Sequence, residues 1–276
     1  MLSIKTKNND LYIYGAENFI LDQTLDCGQA FRWEKNEDGV WCGVANDKYL
    51  EIYHEGNSIV LKNTTPSEYY GFWKNYFDMD RDYSKIIKTV SQDEIIAKAI
   101  TVAGGIRILN QDPWEALCSF IISQNNNIPR IKGIINRLCE NFGEEKSGYY
   151  SFPSATKLSK LKPEDLEILR AGFRAKYIID AAKKVSDGTV KLDLLREMPY
   201  ENAAEELMKI SGVGPKVADC VLLFGLGHIE AFPRDVWIKR AMEALFKGEL
   251  PECAKEYAGI VQQYIFHYAR ITKLQG

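Results

Sequence analysis

Two residues in the chain have types and settings from which covalent chemistry could be built. Lys216 lies in Leu207-Met-Lys-Ile-Ser-Gly-Val-Gly-Pro-Lys216-Val-Ala-Asp-Cys220, directly after the proline that opens a helical segment. A lysine in a first helical turn faces the positive end of the helix dipole, and with burial this favours the neutral amine. A neutral amine is what an attacking nucleophile needs. Asp235, in Ala231-Phe-Pro-Arg-Asp235-Val-Trp-Ile-Lys-Arg, stands where an N-cap would precede the helical stretch VWIKRAMEALF. A capping carboxylate is fixed in place, which suits a group that must face a developing positive charge. Taken singly, a solvated lysine and a simple cap are the plainer explanations.

Between a helical segment, NAAEELMKI, and Lys216 comes Gly212-Val213-Gly214. Two glycines let the backbone turn sharply and leave its N–H groups uncovered. Pro215 suits the first helical position, where its missing donor would be unpaired anyway. A hairpin that ends in a helix N-terminus offers amides and a positive dipole to an anion. A nucleic-acid phosphate is such an anion, and contacts to it position a protein without reading sequence. A tight turn without a ligand is the alternative.

Positioning these groups takes elements, and the chain supplies two kinds. Over about the first ninety residues, LYIYGAENFILDQTLD, AFRWEK, VWCGVAN, KYLEIYHEG and SIVLKNT are rich in aromatic and β-branched residues and are separated by turn signals. They predict a small antiparallel sheet. From Tyr69 onward the apolar spacing becomes helical, through EIIAKAITVA, PWEALCSFIISQ, IPRIKGIINRLCENFG, NAAEELMKI and VADCVLLFGL to AKEYAGIVQQYIFHYARI. Sheet first and helices after make an α+β architecture. The 276 residues, 46% hydrophobic and 26% charged, are enough for two domains or one large one. No apolar run is long enough to cross a bilayer, and the opening MLSIKTKNNDLYIYGAENF lacks a signal pattern, so an intracellular protein is expected. A formal charge of −3 weighs mildly against a nucleic-acid partner but does not exclude one, because binding needs only a local basic face. None of the six cysteines, Cys27, Cys42, Cys118, Cys139, Cys220 and Cys253, forms a CxxC pair, which argues against zinc, a four-cysteine iron–sulfur cluster and a disulfide framework.

The hairpin ISGVGPKVADC followed by FPRD resembles the helix-hairpin-helix glycosylase superfamily, and the spacing of Lys216 and Asp235 fits its lysine-bearing branch. Alkyladenine-type members resemble the chain in the aspartate but lack the lysine. The endonuclease III type adds a four-cysteine cluster after the catalytic helix, where this chain has only Cys253. The 8-oxoguanine DNA glycosylases have a sheet domain in front and no cluster, and the chain is similar to them over nearly its whole length. That resemblance implies a TBP-like antiparallel sheet domain with flanking helices over residues 1–98, then helical domains containing the hairpin over 99–276.

Further segments carry the resemblance and imply roles. Cys27-Gly28-Gln29-Ala30-Phe31-Arg32-Trp33 resembles the family's GQxFRW segment, which implies that the Gly28 carbonyl accepts the N–H unique to oxidised guanine. Gln262 and Phe266, four apart in AGIVQQYIF and so on one helical face, would read the base's Watson–Crick edge and stack on it, with Cys220 covering the other face. In the NNN loop, Asn125 matches the residue that fills the gap left by the flipped base, and Asn127 is assigned to DNA with it. Arg130 and Arg174 match the arginines that read the widowed cytosine, Phe173 a wedging aromatic, and Gly212, Val213 and Gly214 the phosphate grip. Two departures are plain: Trp237 stands where eukaryotic relatives carry histidine, and Phe173 lacks the hydroxyl of the tyrosine often found there.

The implied reaction is excision of 8-oxoguanine from duplex DNA, opposite cytosine, followed by β-elimination through a Lys216 Schiff base, with Asp235 stabilising the oxocarbenium-like charge. No cofactor is required; a structural cation on the backbone at Lys209, Ser211 and Val213 is the one metal expectation. A monomer is expected, without membrane contact, in the cytoplasm at the bacterial nucleoid or in a eukaryotic nucleus. Two competing readings are a non-catalytic hairpin module that merely grips DNA, and an enzyme for oxidised pyrimidines.

Overall fold

The computed structural model describes residues 2–272. Six strands, β1 (Ser3–Lys7), β2 (Asp10–Tyr14), β3 (Trp33–Lys35), β4 (Trp41–Ala45), β5 (Lys48–Glu55) and β6 (Ser58–Leu61), form one antiparallel sheet in the order β1-β2-β6-β5-β4-β3. The register sets Ile13 opposite Ile59 and Trp41 opposite Ile52, so the alternating apolar positions gather on one face. The expected α+β arrangement is present. Two segments differ from the sequence reading. The stretch around LDQTL is a short helix, Leu21–Leu25, because its apolar residues Leu21 and Leu25 are four apart and both buried. β1, an edge strand of mostly exposed residues, lacks the apolar alternation that marks the others.

Two cores form. Leu11, Ile13, Trp33, Leu50 and Ile52 pack beneath the helical run Pro66–Tyr76 with Trp73 and Phe77, and the Trp33 indole N–H donates to the Tyr76 hydroxyl at 2.8 Å. The helical core surrounds Pro113–Ser123, in which every residue from Ala116 to Ile122 is buried. Each fully buried side chain of leucine or phenylalanine size contributes about 1.5–3 kcal/mol. Tyr83, Ile86, Val90 and Ile96 already belong to this second core. A division between residues 98 and 99 falls inside the helix Glu94–Ala103, which packs on the terminal helix Ala258–Thr272; the sheet-side core runs to Met79 and takes in Leu109 beyond that helix.

The two parts are tied by Gln29, which is fully buried. Its amide nitrogen donates to the carbonyls of Thr24 (2.9 Å) and Arg107 (2.8 Å), its amide oxygen accepts from Leu109 N–H (2.9 Å), and its own carbonyl accepts from the Gln111 side chain (2.7 Å). Arg32 adds an ion pair to Glu115 at 3.4 Å. Burial pushes the Glu115 carboxyl up to about 7 against the opposing pull of Arg32.

Candidate active site

The hairpin is built as its glycines require. Tyr200–Met208 leads into Gly212 at φ +80, and a Cβ there would sit 2.4 Å from the Tyr177 ring. Only glycine meets both demands. Gly214 is different: its backbone is extended at φ −102 and ψ −178, it caps the helix Pro215–Val221, and a Cβ would meet nothing. Val217 and Ala218 N–H both donate to the Gly214 carbonyl at 3.0 Å, which leaves Lys216 N–H as the first-turn amide beside this open space. Asp180 accepts from Ser211 N–H at 2.7 Å and pairs with Lys184 at 2.9 Å, and the Lys184 ammonium donates to the Lys209 carbonyl at 2.7 Å. A bound cation on that carbonyl would face a resident ammonium. The backbone site expected at Lys209, Ser211 and Val213 therefore does not fit a metal ion with Lys184 in this position.

Lys216 and Asp235 line one cavity, although they arrive on different helices. Lys216 is in the first turn of Pro215–Val221, half-buried, with its Nζ 5.4 Å from the centre of the Phe120 ring. Phe120 in turn stacks on Phe224 at 5.4 Å, and Phe224 is held where a wide π turn, Leu222–Leu226, continues the helix and gives its carbonyl to Gln111 N–H at 2.9 Å. Asp235 is the N-cap of Val236–Phe246, its Oδ1 accepting from Ile238 N–H at 2.7 Å. The remaining walls bring together residues from both ends of the chain: Cys27, Gly28, Cys220, Pro233, Gln262, Gln263 and Phe266. Gly28 adopts φ +80, the left-handed region that favours glycine, beside the Phe266 ring. Burial raises the Cys220 thiol to about 11, opposed by Lys216, and the Cys27 thiol to about 12. Both walls are thus neutral thiols at physiological pH.

The cavity measures about 50 Å³, room for a water or two, so a wall must move to admit a purine. Phe266 is half-buried, whereas Gln262 and Gln263 beside it are buried. Thus all six residues assigned to chemistry and base contact, Lys216, Asp235, Gly28, Cys220, Gln262 and Phe266, converge on this cavity. Phe120, Phe224, Pro233, Cys27 and Gln263 line it without having been singled out in the sequence. In a lone chain, buried phenylalanines on a periodic helix give no signal beyond core packing.

The residues assigned to DNA form a second group, outside the cavity. Asn125 is exposed in a left-handed conformation at φ +46, and Asn127 caps the helix Ile128–Phe142 by accepting from Arg130 N–H at 3.0 Å. Phe173 is exposed, against Tyr177, and Arg130 is exposed with one weak contact to the Arg170 carbonyl at 3.5 Å. Arg174 is turned inward. Its guanidinium donates to the Gln124 carbonyl (2.9 Å), the Asn125 carbonyl (3.0 Å) and the Ala171 carbonyl (3.0 Å), which holds the Asn125 loop. Trp237 is exposed beside the exposed cations Arg234, Lys239 and Arg240.

A sheet domain joined to a helix-hairpin-helix domain, with a lysine and a carboxylate in a cavity between them, defines a class of base-excision repair protein. Residues 12–117 match the family described as 8-oxoguanine DNA glycosylase, N-terminal domain, and residues 118–256 match the HhH-GPD superfamily of base excision DNA repair proteins. An 8-oxoguanine glycosylase/lyase of Clostridium acetobutylicum, solved with duplex DNA carrying cytosine opposite 8-oxoguanine, superposes with a TM-score of 0.91 at 38% identity over 99% of each chain. Its apo form gives 0.89 at 40% identity, covering 98% of this chain and 99% of that one. The N-glycosylase/DNA lyase of Saccharomyces cerevisiae is 41% identical over 80% of this chain, a match that spans 66% of the yeast protein's length. The chain belongs to the 8-oxoguanine DNA glycosylases of the HhH-GPD superfamily.

Proposed function

We propose that this protein excises 8-oxoguanine from duplex DNA, opposite cytosine, and then cuts the strand through a Schiff base on Lys216. The observation that carries the reading is the convergence of Lys216, Asp235, Gly28, Gln262 and Phe266, from three distant stretches of sequence, on one cavity. Membership of the family places the protein among DNA glycosylases and lyases. A base inside the stack is beyond the reach of a cavity of this kind, so the nucleotide must be extruded into it.

In the pocket, Lys216 Nζ forms a bond to C1′ while the bond from C1′ to the base breaks, and the departing electron pair and a proton go to the base. Asp235, anchored by the Ile238 amide, faces the positive charge that grows on the sugar and takes part in moving the lysine proton. Ring opening of the sugar yields the imine, which acidifies the adjacent carbon so that the 3′ phosphate leaves by β-elimination. Gly28 offers its carbonyl to the N–H that oxidised guanine has and guanine lacks. A base without that donor leaves a buried acceptor unpaired or repelled, which discriminates strongly. Asn125, Asn127 and Phe173 meet the duplex around the gap, Arg130 and Arg174 meet the widowed cytosine, and in the free protein Arg174 also holds the loop that carries Asn125. The hairpin residues Gly212, Val213 and Gly214 hold a backbone phosphate. The protein acts as a monomer where DNA is kept, the nucleoid or a nucleus; no helix among the described residues is long and apolar enough to cross a membrane.

A grip-only hairpin module would have no use for the cavity. The test is a nicking assay on duplexes carrying 8-oxoguanine opposite cytosine, thymine glycol, or no lesion. Cutting of the first alone is expected. Binding without cutting would return the chain to a module, and cutting at thymine glycol would move it to oxidised pyrimidines.

A further inference from the structure

Gln263 follows the proposed base-reading residue Gln262 on the terminal helix, is buried, and lines the same cavity. The two amides are linked: Gln262 Nε2 donates to the Pro233 carbonyl at 3.1 Å, and Gln263 Nε2 donates to Gln262 Oε1 at 2.7 Å. The direction of this chain is forced from one end. A proline carbonyl can only accept, so the nitrogen of the Gln262 amide must face it. Its oxygen then faces Gln263, and the Gln263 nitrogen must face that oxygen. The consequence is visible at the far end, where Gln263 Oε1 is buried with no donor. An unpaired buried acceptor is costly, and a leucine or methionine would fill the same space without it. An arrangement that keeps the amide in spite of that cost is using the N–H.

We propose that Gln263 is a positioning residue that fixes the orientation of the Gln262 amide and thereby sets which base edge the pocket accepts. The proposal rests on the reading of Gln262 given above. With its nitrogen held by Pro233 and one lone pair held by Gln263, Gln262 keeps a second lone pair for a donor on the ligand. Guanine and 8-oxoguanine present N1–H and the exocyclic amine on the Watson–Crick edge, both donors. 8-Oxoadenine presents an acceptor at N1, which an oxygen-forward amide repels. If the donor from Gln263 is removed, the amide is held by Pro233 alone, and turning its nitrogen toward the base breaks one hydrogen bond instead of two.

The test is the ratio of single-turnover excision rates for 8-oxoguanine and 8-oxoadenine, each opposite cytosine. Gln263→Met, which keeps the volume and removes the donor, should lower that ratio about fivefold, the worth of one ordinary hydrogen bond. In a Gln262→Ala background the same change should move the ratio no further. Gln263→Glu gives an independent reading within one protein. Ionised, it offers only oxygens and the ratio falls; protonated at lower pH, it donates again and the ratio recovers. A residue that merely packs would slow both substrates alike and leave the ratio untouched in both variants, and that result overturns the proposal. If Gln262→Ala itself leaves rate and ratio unchanged, the reading of Gln262 fails first.

Discussion

At the scale of single residues, Asp235 shows how a structural part and a chemical part are separated. It caps a helix through Ile238 N–H, and asparagine caps about as well as aspartate. Asp235→Asn should therefore leave stability within about 0.5 kcal/mol by denaturant titration. It should keep lesion binding and lose turnover by about 100-fold or more, the usual cost of removing one fixed electrostatic group. Unchanged turnover would reduce Asp235 to a cap. Lys216 and Asp235 were legible in the sequence because both stand beside helix-opening signals, Gly-Pro and Phe-Pro-Arg. Gln29 was legible only as part of a segment. Its role depends on hydrogen bonds to Arg107, Leu109 and Gln111, which sequence spacing does not contain. Arg174, which the resemblance assigns to the widowed cytosine, donates in the free protein to the carbonyls of Gln124, Asn125 and Ala171, contacts that sequence spacing likewise does not contain.

At the scale of elements, the hairpin pairs two glycines that do different work. Gly212 is left-handed and lies against Tyr177. Gly212→Ala should cost about 1–2 kcal/mol or more, read as a lower denaturation midpoint, from backbone strain together with displacement of the ring. Gly214 is extended and open, so Gly214→Ala should leave the midpoint nearly unchanged yet weaken binding to undamaged duplex, because the methyl group stands where a phosphate oxygen must approach. Equal stability losses in the two variants would contradict this division. Sequence pattern placed the helices Ile128–Phe142 and Val236–Phe246 well, since each has a cap and a regular apolar face, and Pro113–Ser123, buried on all sides, through its Asp112-Pro113 opening. It missed the wide turn Leu222–Leu226, where every residue is buried and no periodic face exists to read.

At the scale of the whole molecule, the cavity exists only because sheet part and helical part are locked together. Gly28 comes from the first part, Lys216 and Asp235 from the second, and Gln262 and Phe266 from the terminal helix. Gln29 and the Arg32–Glu115 pair fix that assembly. The sequence suggested two parts correctly. The boundary expected between residues 98 and 99 lies within the helix Glu94–Ala103, which packs with the core that follows, while Leu109 returns to the core that precedes it. What the assembly is for reduces to one covalent event at Lys216. Borohydride added during reaction with duplex containing 8-oxoguanine opposite cytosine reduces an imine to a stable protein–DNA adduct. The wild-type chain should be trapped, and Lys216→Gln should give no adduct while retaining binding to the lesion. Undiminished trapping in that variant would place the nucleophile elsewhere and contradict the account at its centre.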